Sequence, residues 1–166
     1  MLVYRLSSSN YANDLSGTGA AIYGGRWNPK GIPLLYTAGS ISLAYLEYLA
    51  HNIHVFSANM ITLSIVKIKD PSIKEIDLKD LSDDWRTKEY SPLSTQQVGK
   101  QFFDSGKFHV LKVPSAIVPH EFNFLLNPLH PNHKLITIEE QICPFILDER
   151  FFQNIDTLFM RDYFKP

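Results

Sequence analysis

At 166 residues the chain can bury a real core but is short for two ordinary domains, so a single domain over 1–166 is expected. The hydrophobic fraction of 45% and charged fraction of 20% are those of a globular protein, and a net charge of -1 supplies no overall pull on nucleic acid. One cysteine, Cys143, rules out an internal disulfide framework and a multi-cysteine zinc site, and no apolar run reaches the roughly 20 residues of a membrane span.

The N-terminus lacks a basic start followed by a long apolar segment, which fits an unexported cytoplasmic protein with Cys143 as a buried, inert thiol. LVYRL, residues 2 to 6, predicts a short strand. SSSNYANDLSGTGAAIYGG follows, rich in small and turn-forming residues, and predicts a long loop arriving at Arg26. IPLLYTA, residues 32 to 38, reads as a buried strand. GSISLAYLEYLAH then opens a helix with Ser40 or Ser42 as N-cap. Its apolar residues fall at Ile41, Ala44, Tyr45, Tyr48 and Leu49, and Leu43, Leu46 and Ala50 extend the apolar surface around most of the circumference.

NMITLSIVKIK, residues 59 to 69, is the longest strand candidate, and the polar stretch after it should lie outside. A helix is predicted from near Ser91 or Ser94 to Gly106, with proline at its start and glycine at its end. FHVLKV, AIV, FNFLL, KLITIE and PFILD predict further short strands before an aromatic tail. Several short strands with two or three helices make a mixed α+β fold, without the regular alternation or G-x-G-x-x-G loop of a doubly wound nucleotide fold.

Two charges stand out in the apolar run from Gly24 to His51. An ionised carboxylate at Glu47 must be paired, hydrogen-bonded or open to a cleft, because burying it alone costs several kcal/mol. A structural Glu47–Arg26 ion pair satisfies that need, and so does a pocket whose floor is this helix and whose mouth holds Arg26. Tyr36 ends a strand and can be either a core tyrosine or a pocket wall. Farther on, Ser115, Glu121, Asn123, Asn127 and His130 lie among prolines that restrict the backbone, and fit either ligand orientation or ordinary turn and cap bonds. The pairs His51/His54 and His130/His133 lack converging third and fourth ligands, so no metal site is expected. No G-x-S-x-G elbow surrounds Ser115.

The chain resembles the RES-domain family, toxins of bacterial toxin–antitoxin pairs named for an arginine, a glutamate and a serine. Arg26, Glu47 and Ser115 occupy those places. The resemblance runs through GGRWNPKGIPLLYTAGSISLAYLEYL, DDW at 83 to 85, STQQVGKQFFDSG at 94 to 106, VPSAIVPHEFNFLLNPLHP at 113 to 131, and PFILDERFF at 144 to 152. It implies one RES domain over 1–166, with an ADP-ribosyltransferase-like α+β fold that holds NAD in a cleft between small sheets.

The resemblance also implies that NAD+ is consumed as a substrate, with no prosthetic group, by hydrolysis, phosphorolysis or transfer of ADP-ribose to a protein. Glu47 would stabilise the positive charge that develops on ribose, and Arg26 would meet the pyrophosphate. Tyr36 would wall the nicotinamide or ribose, Ser115 would bond the cofactor or Arg26, and Asn123 would lie nearby as a further NAD contact. Tyr4, Arg5, Asp148 and Arg150 fit cofactor contacts or structural roles. An adjacent Xre-like helix-turn-helix antitoxin is the implied partner, and nothing in this chain calls for nucleic acid or a membrane. The aromatic residues of IDTLFMRDYFKP suit a core cover or a homodimer surface. Two other classes compete: an inactive binding module that keeps the cleft, and a ribonuclease, which would favour a basic groove.

Overall fold

The computed structural model describes residues 1–52, 60–87, 92–146 and 148. Runs of β-branched and aliphatic residues form the strands β1 (Leu2–Ser8), β2 (Leu35–Ala38), β3 (Ile61–Lys67), β4 (Ile73–Glu75), β5 (Val110–Pro114), β6 (Phe122–Leu126) and β7 (Thr137–Ile142). They make one sheet in the order β4-β5-β6-β2-β1-β3-β7. Every pairing is antiparallel except β4 with β5. β1 and β3 pair along their whole length, whereas β1 touches β2 only at Tyr4 opposite Ala38. The sheet is therefore continuous, in place of the small sheets that the family resemblance implied.

Register decides which side chains share a face, because residues directly opposite project the same way. Tyr36 lies opposite Leu125 and Ala38 opposite Asn123, while Leu111 and Val113 continue that face on β5. Two helices cover it: α2 (Ile41–Asn52) and α3 (Pro92–Ser105). Leu43 and Ala44 of α2 pack with Ala38, Tyr4 and Leu6. Phe102 of α3 joins Leu111, Val113, Leu125, Trp27, Leu34 and Trp85. The opposite face buries Val3, Leu35, Val66, Val110 and Leu126 under Leu15 and Ile136. Each such fully buried side chain contributes about 1.5–3 kcal/mol relative to exposure.

The structure corrects several expectations. The loop before Arg26 contains a 3-10 turn at Ser9–Tyr11 and the short helix α1 (Thr18–Tyr23), whose N-cap Gly17 is left-handed at φ 70°. AIV is a turn, because Ser115 Oγ accepts from the Ile117 and Val118 amides and bends the chain there. KLITIE begins in a 3-10 turn, and β7 starts only at Thr137. The described residues of PFILD form no strand. Ile41 and Ala50 are exposed, so α2 is buried on less of its circumference than its composition predicts. Cys143 is exposed, with its thiol 3.4 Å from Ser9 Oγ, and is not a buried thiol. Asn59, His54, Ser91, Leu147, Arg150 and the segment IDTLFMRDYFKP lie outside the described residues.

Candidate active site

Ser40 starts α2 as expected: its Oγ accepts from the Leu43 amide at 3.1 Å and donates to Glu121 Oε2 at 2.8 Å. Two turns later comes Glu47, with 23% of its side chain exposed. Its Oε1 accepts from Asn123 Nδ2 at 2.6 Å and from Ser115 Oγ at 3.0 Å. Ser115 is buried, and the two amide protons it accepts leave its own proton directed at the carboxylate. Glu47 Oε2 lies 3.9 Å from the exposed His51 Nε2, a loose pair of little energetic weight. A helix, the end of β5 and the start of β6 thus converge on one carboxylate oxygen.

Arg26 sits on an irregular segment between α1 and β2, and its Nη1 donates to the Trp85 carbonyl. The ring of Trp85 lies 6.1 Å from that of Trp27. Tyr36 Oη accepts from the Trp27 amide at 3.1 Å and donates to Asn28 Oδ1 at 2.7 Å. The amide of the fully buried Asn28 in turn donates to the Ala20 and Ile32 carbonyls, each at 2.8 Å. Gly25 must be glycine here, because a Cβ would lie 2.7 Å from Tyr36 Oη and 2.9 Å from Asn28 Oδ1.

Where β1 and β2 part, a cleft of about 200 Å³ opens between Arg5, Leu6, Asp14, Gly17, Thr18 and Tyr36. Arg5 Nη1 donates to the Tyr11 carbonyl at 3.0 Å. Burial holds its guanidinium below the ordinary arginine value, against the opposing charge of Asp14. Hydrogen bonds from Ser16 hold the Asp14 carboxyl below the usual range. Tyr36 borders this cleft and shares a sheet face with Asn123, whereas Arg5 and Leu35 belong to the opposite face.

The structure brings Glu47, Ser115 and Asn123 into direct contact and places Tyr36 on the adjacent strand. Ser115 Oγ donates to Glu47 Oε1. Glu121 serves Ser40, Asn127 caps a turn by accepting from Leu129, and His130 Nδ1 accepts from the Asn132 amide. Among the described residues no group of three or more His, Cys, Asp or Glu is arranged to hold a metal. Sequence reasoning passed over Asn28, which bonds the α1 carbonyl of Ala20 and the Tyr36 hydroxyl, and Thr95 and Gln96, which bond loop carbonyls about 70 positions away. For Thr95 and Gln96, position inside a helix was the only local signal.

A mixed sheet with two helices on one face, one of them carrying a partly exposed carboxylate held by side chains from the strand ends, defines an α+β protein. The family model described as RES domain matches residues 2–148, and the chain belongs to that family. "Toxin Res" of Photorhabdus laumondii is 39% identical over 155 residues, covering 90% of this chain and 96% of that protein. "Toxin Res" of Yersinia enterocolitica is 36% identical over 151 residues, covering 90% and 99%. The "Prs ADP-ribosylating toxin" of a Sphingobium species is 37% identical over 127 residues, covering 74% and 78%. Among solved structures, a chain of the M. tuberculosis MbcT-MbcA toxin-antitoxin complex superposes with a TM-score of 0.73 at 18% identity, covering 94% of this chain and 88% of that one. The last likeness establishes the fold.

Proposed function

We propose that this chain is the toxin of a bacterial toxin–antitoxin pair and that it cleaves the nicotinamide–ribose bond of NAD+, depleting the cofactor and arresting growth. The whole chain is read as one RES domain working in the cytoplasm. The observation that carries the reading is the Glu47 carboxylate, partly exposed and held through one oxygen by Ser115 and Asn123.

Nicotinamide in NAD+ is a cationic substituent and leaves as a neutral molecule, taking the bonding electron pair. No acid is needed on the leaving group. Positive charge develops at the ribose, and a single fixed carboxylate stabilises it, unlike the carboxylate pair of ordinary glycosidases. Water or phosphate then adds to the same ribose carbon and loses a proton to solvent. Glu47 is assigned the electrostatic role, Ser115 and Asn123 orient it, Tyr36 walls the reacting end, and Arg26 meets the pyrophosphate with its planar donors.

Transfer of ADP-ribose to a protein uses the same pocket with a different acceptor, and the name of the Sphingobium relative favours keeping it as the second reading. The structural likeness to a chain from a toxin-antitoxin complex supports an antitoxin partner, for which we propose an Xre-like helix-turn-helix protein that blocks the cleft. Proton NMR of NAD+ with purified protein, in phosphate and in phosphate-free buffer, tests the activity. Nicotinamide should appear with the parent, and the sugar product identifies water or phosphate as acceptor. Glu47→Gln should lower turnover by roughly 100-fold or more. Full turnover in a folded Glu47→Gln protein removes Glu47 from its role, and intact NAD+ in every tube overturns glycohydrolysis.

A further inference from the structure

The segment carrying Arg26 has little structure of its own. Gly24 is left-handed at φ 74°, and the Gly25–Asn28 bridge is its only strand-like pairing among the described residues. Its position is imposed from outside, and α3 does much of this. Thr95, fully buried, donates from Oγ1 to the carbonyl of Arg26 itself at 2.6 Å. One residue on, Gln96 Nε2 donates to the Gly25 carbonyl at 2.9 Å. One turn from Thr95, Gly99 lets the segment lie directly on the helix, since a Cβ there would fall 1.6 Å from the Trp27 carbonyl oxygen. The same helix reaches the turn that receives the guanidinium: Ser94 Oγ lies 3.4 Å from Ser82 Oγ, and Ser82 accepts the Trp85 amide.

We propose that Thr95 and Gln96 are positioning residues for Arg26, gripping its backbone so that the guanidinium is presented to the anionic pyrophosphate of the substrate. This rests on the reading of Arg26 as the pyrophosphate partner. Two consecutive helix residues give their side-chain protons to two consecutive carbonyls of a segment about 70 positions away in sequence. A hydroxyl buried in a helix is expensive unless it is bonded, and this one is used on the arginine's own peptide unit. The grip separates affinity from chemistry. Thr95 and Gln96 act on the binding arginine, whereas Ser115 and Asn123 act on Glu47.

The test compares the parent with Thr95→Val, Thr95→Ser and Gln96→Leu. Amide hydrogen exchange at residues 24–28 needs no substrate, and the amides of Gly25, bonded to Asn28 O, and Trp27, bonded to Tyr36 Oη, report on the grip. Thr95→Val and Gln96→Leu should each speed exchange there by about tenfold, with core amides unchanged. KM for NAD+ should rise about fivefold with kcat within about twofold, the pattern of lost uniform binding. Thr95→Ser keeps the hydroxyl and should restore both readouts.

Unchanged exchange at 24–28 overturns the grip. A fall in kcat at constant KM overturns the assignment to binding, and a Thr95→Ser protein as impaired as Thr95→Val overturns the role of the hydroxyl. A parent that leaves NAD+ intact overturns the NAD+ reading, and the presentation of Arg26 to pyrophosphate with it, while exchange still decides whether α3 holds the segment.

Discussion

Acidification should weaken this protein through the buried His109 and its half-buried partner His133. The Leu15 carbonyl can only accept, so His133 Nε2, 2.9 Å away, carries a proton. In neutral His133 the other nitrogen, Nδ1, is then an acceptor, and it takes the proton of His109 Nε2 at 3.2 Å. His109 Nδ1 is left bare, buried and without a hydrogen-bond partner among the described residues. A proton added there has no acceptor and lies beside His133 and the stacked ring of His130, 5.1 Å away.

Burial, reinforced by His133 and His130, pushes the His109 pKa down from 6.5 to about 4. A folded-state value below the unfolded one means that the unfolded chain binds more protons between those two pH values. Stability from this site is therefore complete above about pH 6.5 and declines as pH falls toward 4. The loss at pH 5 is about 2 kcal/mol relative to pH 7.5, from about 1.4 kcal/mol per unit of separation. Urea unfolding of the parent and of His109→Gln at pH 7.5, 6 and 5 measures it. The parent should lose about 2 kcal/mol more than the variant across that range, and parallel pH profiles would refute the buried neutral His109.

Other outcomes follow from the site's bonds. Tyr36→Phe removes the acceptor of the Trp27 amide and the donor to the buried Asn28 Oδ1, which should cost about 2 kcal/mol. A thermal midpoint equal to the parent's would contradict it. Asn123→Ala removes a 2.6 Å donor from Glu47 and should lower kcat for NAD+ by about 10- to 100-fold with KM little changed. A raised KM at constant kcat would make Asn123 a substrate contact and not a support for the carboxylate.

Elements whose signals are local are legible in the sequence alone. The N-cap at Ser40, proline at the first position of α3 and the apolar runs of β3 and β6 each follow from neighbours along the chain. AIV failed because a serine side chain captured two amides and made a turn from strand-forming residues. α1 was missed because glycine and serine mark both loops and helix starts, and only the left-handed Gly17 decides between them.

Residue chemistry alone marked Glu47 as needing a partner, since a lone carboxylate in an apolar helix is costly whatever the fold. Which partner it finds was a tertiary decision. Ala38 opposite Asn123 and Pro114 opposite Phe122 bring the start of β6 and the residue just after β5 under α2, so Asn123 and Ser115 meet Glu47 across 76 and 68 positions of sequence. Arg26 likewise owes its place to a threonine and a glutamine about 70 residues away. Composition and periodicity report what a side chain requires from its surroundings, because that cost is intrinsic to the group. The register of strands and the docking of helices choose which distant group supplies it, because those depend on the packing of the whole sheet.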